Sequence, residues 1–412
     1  MNNMIFAECD VVNLAKKYGT PLYVISEDFI VNRIDEIKNK FLYKYENTYA
    51  VYASKAFLTK EMARVIKREG LGMDVVSGGE LYTALEVGFP MEKVIFHGNN
   101  KSYDELKMAI TNDIGRIVVD NLYELELIEE ISEEFNKEVK ILFRITPGVN
   151  SDTHKYIQTG QVDSKFGIPL NGKILKNAIE KAMDSNNIDL LGFHFHIGSQ
   201  INTKDSYMEA IRIITSLMKK VKEECNFDTV ELNVGGGFGR KLIEYYTDAI
   251  MEELESYCNK YELKRPTVII EPGRWIIEKA GITLYTIGSI KEIPGVRTYV
   301  SVDGGMPDNP RPSLYGAKYN GVIANKMNLE STELVTMAGK CCESGDILIW
   351  DLKTPKVEQG DILAILYTGA YNYSMASNYN KLPKPAAVMC SKGKDRLIAK
   401  RETYEDMLRN EI

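Results

Sequence analysis

The chain reads as an α/β protein in which a TIM-like (β/α)8 barrel is joined to a second, mostly C-terminal β domain. Three features predict this. Eight short β-rich runs, each closed by Gly, Ser, Asp or His, alternate with helical patterns between Thr48 and Glu271. Helix-start signals stand where those runs end. Beyond Glu271 the texture changes to strand-like runs separated by Gly and Pro.

The eight runs are Thr48 to Ser54, Gly72 to Ser77, Lys93 to Gly98, Arg116 to Asp120, Val139 to Ile145, Asp189 to Ile197, Thr229 to Gly235 and Thr267 to Glu271. After the second, third and fourth come Ser77-Gly78-Gly79-Glu80, Ser102-Tyr103-Asp104-Glu105 and Asn121-Leu122-Tyr123-Glu124. Each sets an N-cap side chain three residues before a glutamate, the spacing of a reciprocal capping box or its Asn variant. Apolar residues then recur at helical spacing, as in Leu81, Ala84 and Leu85. Eight such units over about 225 residues match the usual size of a (β/α)8 barrel.

Past the barrel, Ile282 to Ile290, Arg297 to Val302, Glu333 to Met337 and Asp361 to Tyr367 read as strands, as does Pro21 to Ile25 before it. The expected division is therefore a barrel over residues 27–275 and a β domain made of 1–26 with 276–412. At 412 residues, two domains are also the default on size.

Composition narrows the function. The net charge is −7 with basic residues dispersed, which gives no nucleic-acid footprint and points to small-molecule partners. Six cysteines (Cys9, Cys225, Cys258, Cys341, Cys342, Cys390) show neither CxxC pairing nor zinc-ligand spacing, so no metal is expected. No stretch approaches the roughly 20 apolar residues of a membrane span. The expectation is a soluble protein of a reducing, cytoplasmic compartment.

Three sites carry the chemistry. Lys55 ends the first run, at the C-terminal mouth where barrel enzymes keep their active sites. Gly235-Gly236-Gly237 follows the seventh run, and the loops after strands seven and eight are the usual phosphate site of such barrels. Glu271, in Glu271-Pro272-Gly273-Arg274, ends the eighth. A lysine that forms a Schiff base, backbone N–H groups that close on a phosphate and a carboxylate that keeps a pyridine nitrogen protonated are together the needs of pyridoxal phosphate (PLP). Taken singly, the first two have plainer explanations: a solvated lysine and a tight turn.

The remaining candidates follow from position. His97, His154, His194 and His196 all fall in or beside the runs, and strand alternation puts His194 and His196 on one face, opposite Phe193 and Phe195. A flat imidazole there can stack on a cofactor ring, and a hydrogen-bonded core histidine is the competing use. Arg274, Arg311, Tyr315 and Tyr371 lie in Gly/Pro-rich contexts, and arginine forks grip carboxylates. In Cys341-Cys342-Glu343-Ser344-Gly345-Asp346 adjacent cysteines are usually buried small hydrophobes, but the flanking Glu343 and Asp346 favour an exposed polar turn whose thiol serves as a proton donor. The polar segment 150–161, with His154, is expected to form a lid.

With these residues in view, the chain resembles the fold-type III PLP-dependent decarboxylases, and within them the diaminopimelate decarboxylase family. The likeness runs from Tyr18-Gly19-Thr20-Pro21-Leu22-Tyr23-Val24 to Gly369-Ala370-Tyr371. It takes in Asp74-Val75-Val76-Ser77-Gly78-Gly79-Glu80-Leu81, His194-Phe195-His196-Ile197-Gly198-Ser199-Gln200, Arg311-Pro312-Ser313-Leu314-Tyr315 and Cys342-Glu343-Ser344-Gly345-Asp346. The resemblance implies an alanine racemase/ornithine decarboxylase-like fold and a homodimer with shared active sites. It implies decarboxylation of meso-2,6-diaminopimelate to L-lysine and carbon dioxide, the last step of lysine biosynthesis.

By the same resemblance Lys55 is the Schiff-base lysine, His196 stacks on the PLP ring and Glu271 holds its nitrogen. Asp74, Ser199, Gly235, Gly236, Gly237, Gly273, Arg274 and Tyr371 join the cofactor set. Arg274, Arg311, Tyr315, Glu343 and Tyr371 grip substrate, and Cys342 is the acid supplied across the dimer interface. Other readings are a decarboxylase of another basic amino acid and a PLP-binding homologue without catalysis.

Overall fold

A computed structural model of the protein describes residues 3–149, 163–170 and 173–412. It divides into two compact units, Arg33–Trp275 and Met1–Asn32 with Ile276–Ile412. The N-terminal cut falls inside the helix Glu27–Ile37, a few residues beyond the boundary read from sequence.

The Arg33–Trp275 unit is a closed parallel barrel. Its strands are β1 Thr48–Ala53, β2 Gly72–Val75, β3 Val94–Phe96, β4 Arg116–Val119, β5 Val139–Thr146, β6 Ile188–His194, β7 Glu231–Asn233 and β8 Thr267–Ile270. Each pairs in parallel with the next, β8 pairs with β1, and the ring has no open edge among these eight. All eight expected strands are present, most of them ending before the expected C-terminal residue. Asp120, Gly235 and Glu271 lie just past the ladder, where the chain turns toward the following helix.

The barrel interior explains where polar residues emerge. Val51, Ile95, Val118, Leu142, Leu191 and Ile269 form a buried apolar cluster, one from each of six strands. Because strand side chains repeat every two residues, the next inward layer toward the C-terminal end holds Ala53, His97, Asp120, Arg144 and Glu271. On β6 the register shifts between Leu190 and Gly192, so the count slips by one and His194 takes the corresponding place. Apolar core below and titratable groups above are thus consecutive layers of the same strands.

The helices begin where the sequence indicates, with one refinement. Ser102 and Glu105 make the complete reciprocal box. Ser77 Oγ accepts from Glu80 N and Asn121 Oδ1 from Glu124 N in the same way, but Glu80 and Glu124 reach back one residue further, accepting from Val76 N at 2.8 Å and Asp120 N at 3.1 Å. These carboxylates therefore tie down strand ends rather than the caps.

In the other unit, the wholly buried strand Leu22–Ser26 pairs antiparallel with Gly281–Ile293 and parallel with Ala386–Ser391. Gly281–Ile293 also pairs with Ile362–Leu366 and Arg297–Val302, and Glu333–Ala338 with Ile347–Thr354 extends the sheet. Gly321–Ile323, Ile347–Thr354, Ala386–Ser391 and Lys394–Ala399 are strands beyond those read from sequence.

Lys101, after β3, sits 1 % exposed beside Glu124 at 2 %, with Nζ donating to Glu124 Oε1 at 2.6 Å, Val118 O at 2.7 Å and Gly98 O at 2.9 Å. Truncating one partner leaves the other charge buried and unpaired. Lys101→Ala is expected to cost about 3–5 kcal/mol in urea unfolding of the barrel, while a Lys101→Met, Glu124→Leu double variant recovers only part of it, because Gly98 O, Val118 O and Asp120 N–H then lose their partners. A single-variant loss under about 1 kcal/mol would refute the accounting.

Candidate active site

Glu271 is the centre of the barrel mouth. Its Oε1 accepts a hydrogen bond from Asn233 Nδ2 at 2.7 Å and lies 2.7 Å from His97 Nε2, while His194 Nε2 stands 3.5 Å from Oε2. The His97 contact is an ion-pair separation rather than an aligned hydrogen bond. All four side chains are buried. Burial alone would raise the Glu271 carboxyl, yet the neighbouring His97 and His194 hold it well below the usual carboxylate range. Burial likewise pushes His194 down to about 3, so its imidazole is neutral. The result is an ionised carboxylate in a water-poor place.

The ligand atoms of His97, His194 and Glu271 lie within 4.8 Å of one another, a grouping that would admit a metal ion. Direct contact at 2.7 Å between His97 and Glu271 is tighter than two ligands each ~2.0–2.1 Å from a tetrahedral zinc would stand, and Asn233 already occupies the same oxygen. The arrangement suits a hydrogen-bonded carboxylate better than a metal centre.

Lys55 lies in the short turn Ser54–Ala56 after β1, and Ala53 pairs in register with Asp74 on β2. Asp74 is buried with no hydrogen bond to either carboxylate oxygen among the described residues. Burial raises its carboxyl, and His97 and Lys55 draw it back. His196, half-buried, follows β6; its Nδ1 accepts from Gly236 N–H at 3.3 Å. Burial first, then Lys55 and Arg144, push this imidazole well below its ordinary value, so it is neutral with its proton on Nε2.

The glycine run is required by space. A Cβ at Gly236 would collide with Glu271 O and one at Gly237 with Gly198 O, and Gly237 holds φ +94°, a left-handed conformation that disfavours side chains. Asn233 Oδ1 accepts from Gly235 N at 2.9 Å, and Ile201 N donates to Gly237 O at 3.0 Å. The loops after β6 and β7 are thereby laced together, with Ser199 on one and Gly235 to Gly237 on the other. Gly273 packs its backbone against Ala53, and Arg274 follows it, buried.

In the β unit, the buried Arg311 stacks its guanidinium 5.4 Å from the Tyr315 ring centroid and 5.7 Å from that of Tyr371. Tyr371 itself holds φ +61°, strain of the kind that concentrates at functional positions. Cys342 and Glu343 are exposed on a turn that Asp346 pins, accepting from Cys341 N at 2.9 Å and Met306 N at 2.7 Å. Asn380 Oδ1 adds a bond to Cys342 N at 2.8 Å.

Sequence reasoning had named Lys55, Asp74, His196, Ser199, the glycines and Glu271, and all of them lie at the C-terminal end of the barrel. It named Arg311, Tyr315, Tyr371, Cys342 and Glu343, and these lie in the β unit. Asn233 and Arg144 were not anticipated. For Arg144 the signal was available, a polar residue two places beyond the apolar inward Leu142, whereas Asn233 follows Glu231 at that spacing and gave no such signal. His154 and the segment 150–161 lie outside the described residues.

Three features suit PLP. Asp74 offers buried oxygens without donors, the Gly235 to Gly237 run has no room for side chains and leaves its backbone bare, and Glu271 is a carboxylate kept ionised.

Comparison with known proteins agrees. The family described as pyridoxal-dependent decarboxylase, pyridoxal binding domain, matches residues 28–278. The diaminopimelate decarboxylase of Bacillus subtilis (strain 168) is 47% identical over 411 residues, 98% of this chain and 94% of that protein. That of Bacillus methanolicus is 49% identical over 95% of this chain and 93% of its own. The crystal structure of the M. jannaschii diaminopimelate decarboxylase in co-complex with L-lysine superposes with a TM-score of 0.93 at 36% identity, covering 100% of this chain and 96% of that one. A barrel mouth built for PLP and this near full-length identity have one meaning: the chain belongs to the diaminopimelate decarboxylase family of PLP-dependent decarboxylases.

Proposed function

We propose that the enzyme decarboxylates meso-2,6-diaminopimelate to L-lysine and carbon dioxide, the last step of lysine biosynthesis. The observation that carries the choice of substrate is Arg311, a buried guanidinium close to the rings of two tyrosines. A substrate whose distal end bears a carboxylate beside its ammonium needs such a fork, and the distal amine of ornithine or lysine does not. Glu343 answers the ammonium, with Tyr315 and Tyr371 framing the arginine. The L-lysine bound to the M. jannaschii relative is consistent with that product.

When bound, PLP supplies an electron sink for the pair released as the α-carboxylate leaves. Lys55 carries the amine that anchors the cofactor. Glu271, ionised, keeps the proton on the ring nitrogen, and neutral His196 presents a flat, uncharged face. Asp74, Ser199, Gly235 to Gly237, Gly273 and Arg274 border the rest of the cofactor, the glycines by close approach of their backbone and Arg274 by its charge. Arg274 and Tyr371 border both phosphate and substrate. Cys342 Sγ then delivers a proton to Cα.

Cys342 and Glu343 are exposed, as expected of groups offered to a second subunit, and the reading includes a homodimer with shared sites. The six cysteines are free thiols, consistent with a reducing, cytoplasmic setting. No helix among the described residues is long and apolar enough to cross a membrane.

The deciding assay offers meso-diaminopimelate, L-lysine, L-ornithine and L-arginine to purified protein with PLP and follows carbon dioxide. Release from meso-diaminopimelate alone, with L-lysine formed, is expected; preference for another amino acid would overturn the role of Arg311. Lys55→Ala should lose the absorbance band of the anchored cofactor, and a retained band would remove its anchoring role. Cys342→Ala should keep PLP and lose turnover. Mixing these two inactive variants under subunit exchange should restore part of the activity; with exchange demonstrated, no recovery would place each site within one chain.

A further inference from the structure

The two oxygens of Glu271 are approached by different groups. Oε1 receives Asn233 Nδ2 and His97 Nε2, both at 2.7 Å, whereas Oε2 has only His194 Nε2 at 3.5 Å among the contacts described. The Asn233 separation is that of a charge-assisted hydrogen bond, the His97 one is an equally close polar contact without hydrogen-bond alignment, and the longest is at the limit of hydrogen bonding. Turning the carboxyl group about its own axis would carry Oε1 away from both close neighbours at once. Asn233 is in turn held by Gly235 N–H at 2.9 Å, and the His97 ring stands edge-on to His194 with centroids 4.7 Å apart. His97 is 5 % exposed, so solvent does not compete for the contact.

We infer that His97 is a positioning residue for the reaction: with Asn233 it clamps Oε1 of Glu271 and leaves Oε2 as the oxygen given to the cofactor's ring nitrogen. This rests on Glu271 serving that nitrogen, as proposed above. An imidazole fits the task because it meets the carboxylate without a permanent charge. A lysine or arginine at position 97 would neutralise the carboxylate and weaken its hold on the ring proton. His194, with neither nitrogen hydrogen-bonded among the described residues, acts as the wall against which His97 packs.

The clamp has a pH consequence. Facing Glu271 are His97 from the end of β3, His194 from β6 and His196 just after it, Arg144 from β5 and Asp74 from β2. A carboxyl held below its ordinary value keeps its charge above that value and loses it as pH falls through the lowered one. Removing His97 lets burial raise the carboxyl, so the acid limit of cofactor binding moves to higher pH.

The test titrates PLP into the apo forms of wild type, His97→Ala, His97→Gln and Glu271→Gln, reading the Kd and the acid limb of the cofactor absorbance. His97→Ala is expected to weaken PLP about tenfold and to shift the limb upward, while His97→Gln, which can offer an amide N–H to Oε1, recovers part of both. Wild-type Kd and limb in His97→Ala, alongside altered values in Glu271→Gln, would overturn the clamp. Wild-type behaviour in Glu271→Gln would instead overturn the ring-nitrogen reading beneath it. If apo His97→Ala lacks a cooperative thermal transition, His97→Gln carries the same decision: the clamp requires its limb to lie above that of wild type, and an unmoved limb and Kd would overturn it.

Discussion

An ionised carboxylate kept at the mouth of a dry barrel is costly, and most of the polar architecture of this protein answers that cost. Desolvation favours the neutral acid, so Glu271 needs donors close by and in number. His97, His194 and Asn233 come from three strand ends, and β8 brings Glu271 to them because the barrel closes. Asn233 also holds Gly235, so the carboxylate site and the glycine cradle share one side chain. Glu271 N, in turn, donates to Gly235 O at 2.9 Å. The carboxylate and the glycine run are thus set by the same few atoms.

Layering makes this affordable in a fold that must also be stable. The apolar ring of Val51, Ile95, Val118, Leu142, Leu191 and Ile269 fills the barrel immediately below the polar layer. Placing chemistry two residues further along each strand lets the core remain close-packed while the mouth carries Asp74, Asp120, Arg144 and Glu271. The buried Lys101 and Glu124 pair continues the same pattern outward, and Glu80 and Glu124 bond strand-end N–H groups to keep the mouth in shape. The β unit works by another device. The turn that carries Cys342 and Glu343 is exposed yet tied down: Asp346 collects backbone donors from Cys341 and Met306, and Asn380 takes the N–H of Cys342.

Much of this was legible in the residues. Eight runs, their order and the residue at the end of each were readable because β-rich segments end at Gly, Ser, Asp or His and helix caps follow. Lys55, Gly235 to Gly237 and Glu271 could be named because barrel chemistry concentrates at strand ends. Strand ends were read too long, since a residue such as Asp120 or Glu271 belongs to the inward pattern of its strand after it has left the ladder. In the β unit, short strands such as Gly321–Ile323 take their partners from distant segments, and local pattern alone does not reveal them.

What the sequence by itself determined is the alternation of strand and helix, the chemistry of the groups at the strand ends and the kinship that these motifs carry. Which group touches which was decided only by closure of the barrel. Residues 97, 194, 233 and 271 are far apart along the chain, and their meeting depends on strand stagger and on the register shift in β6 that turns His194 inward. A side chain's type sets what it can bond, whereas its protonation and its partner depend on burial and distance, and those exist only once the chain has folded.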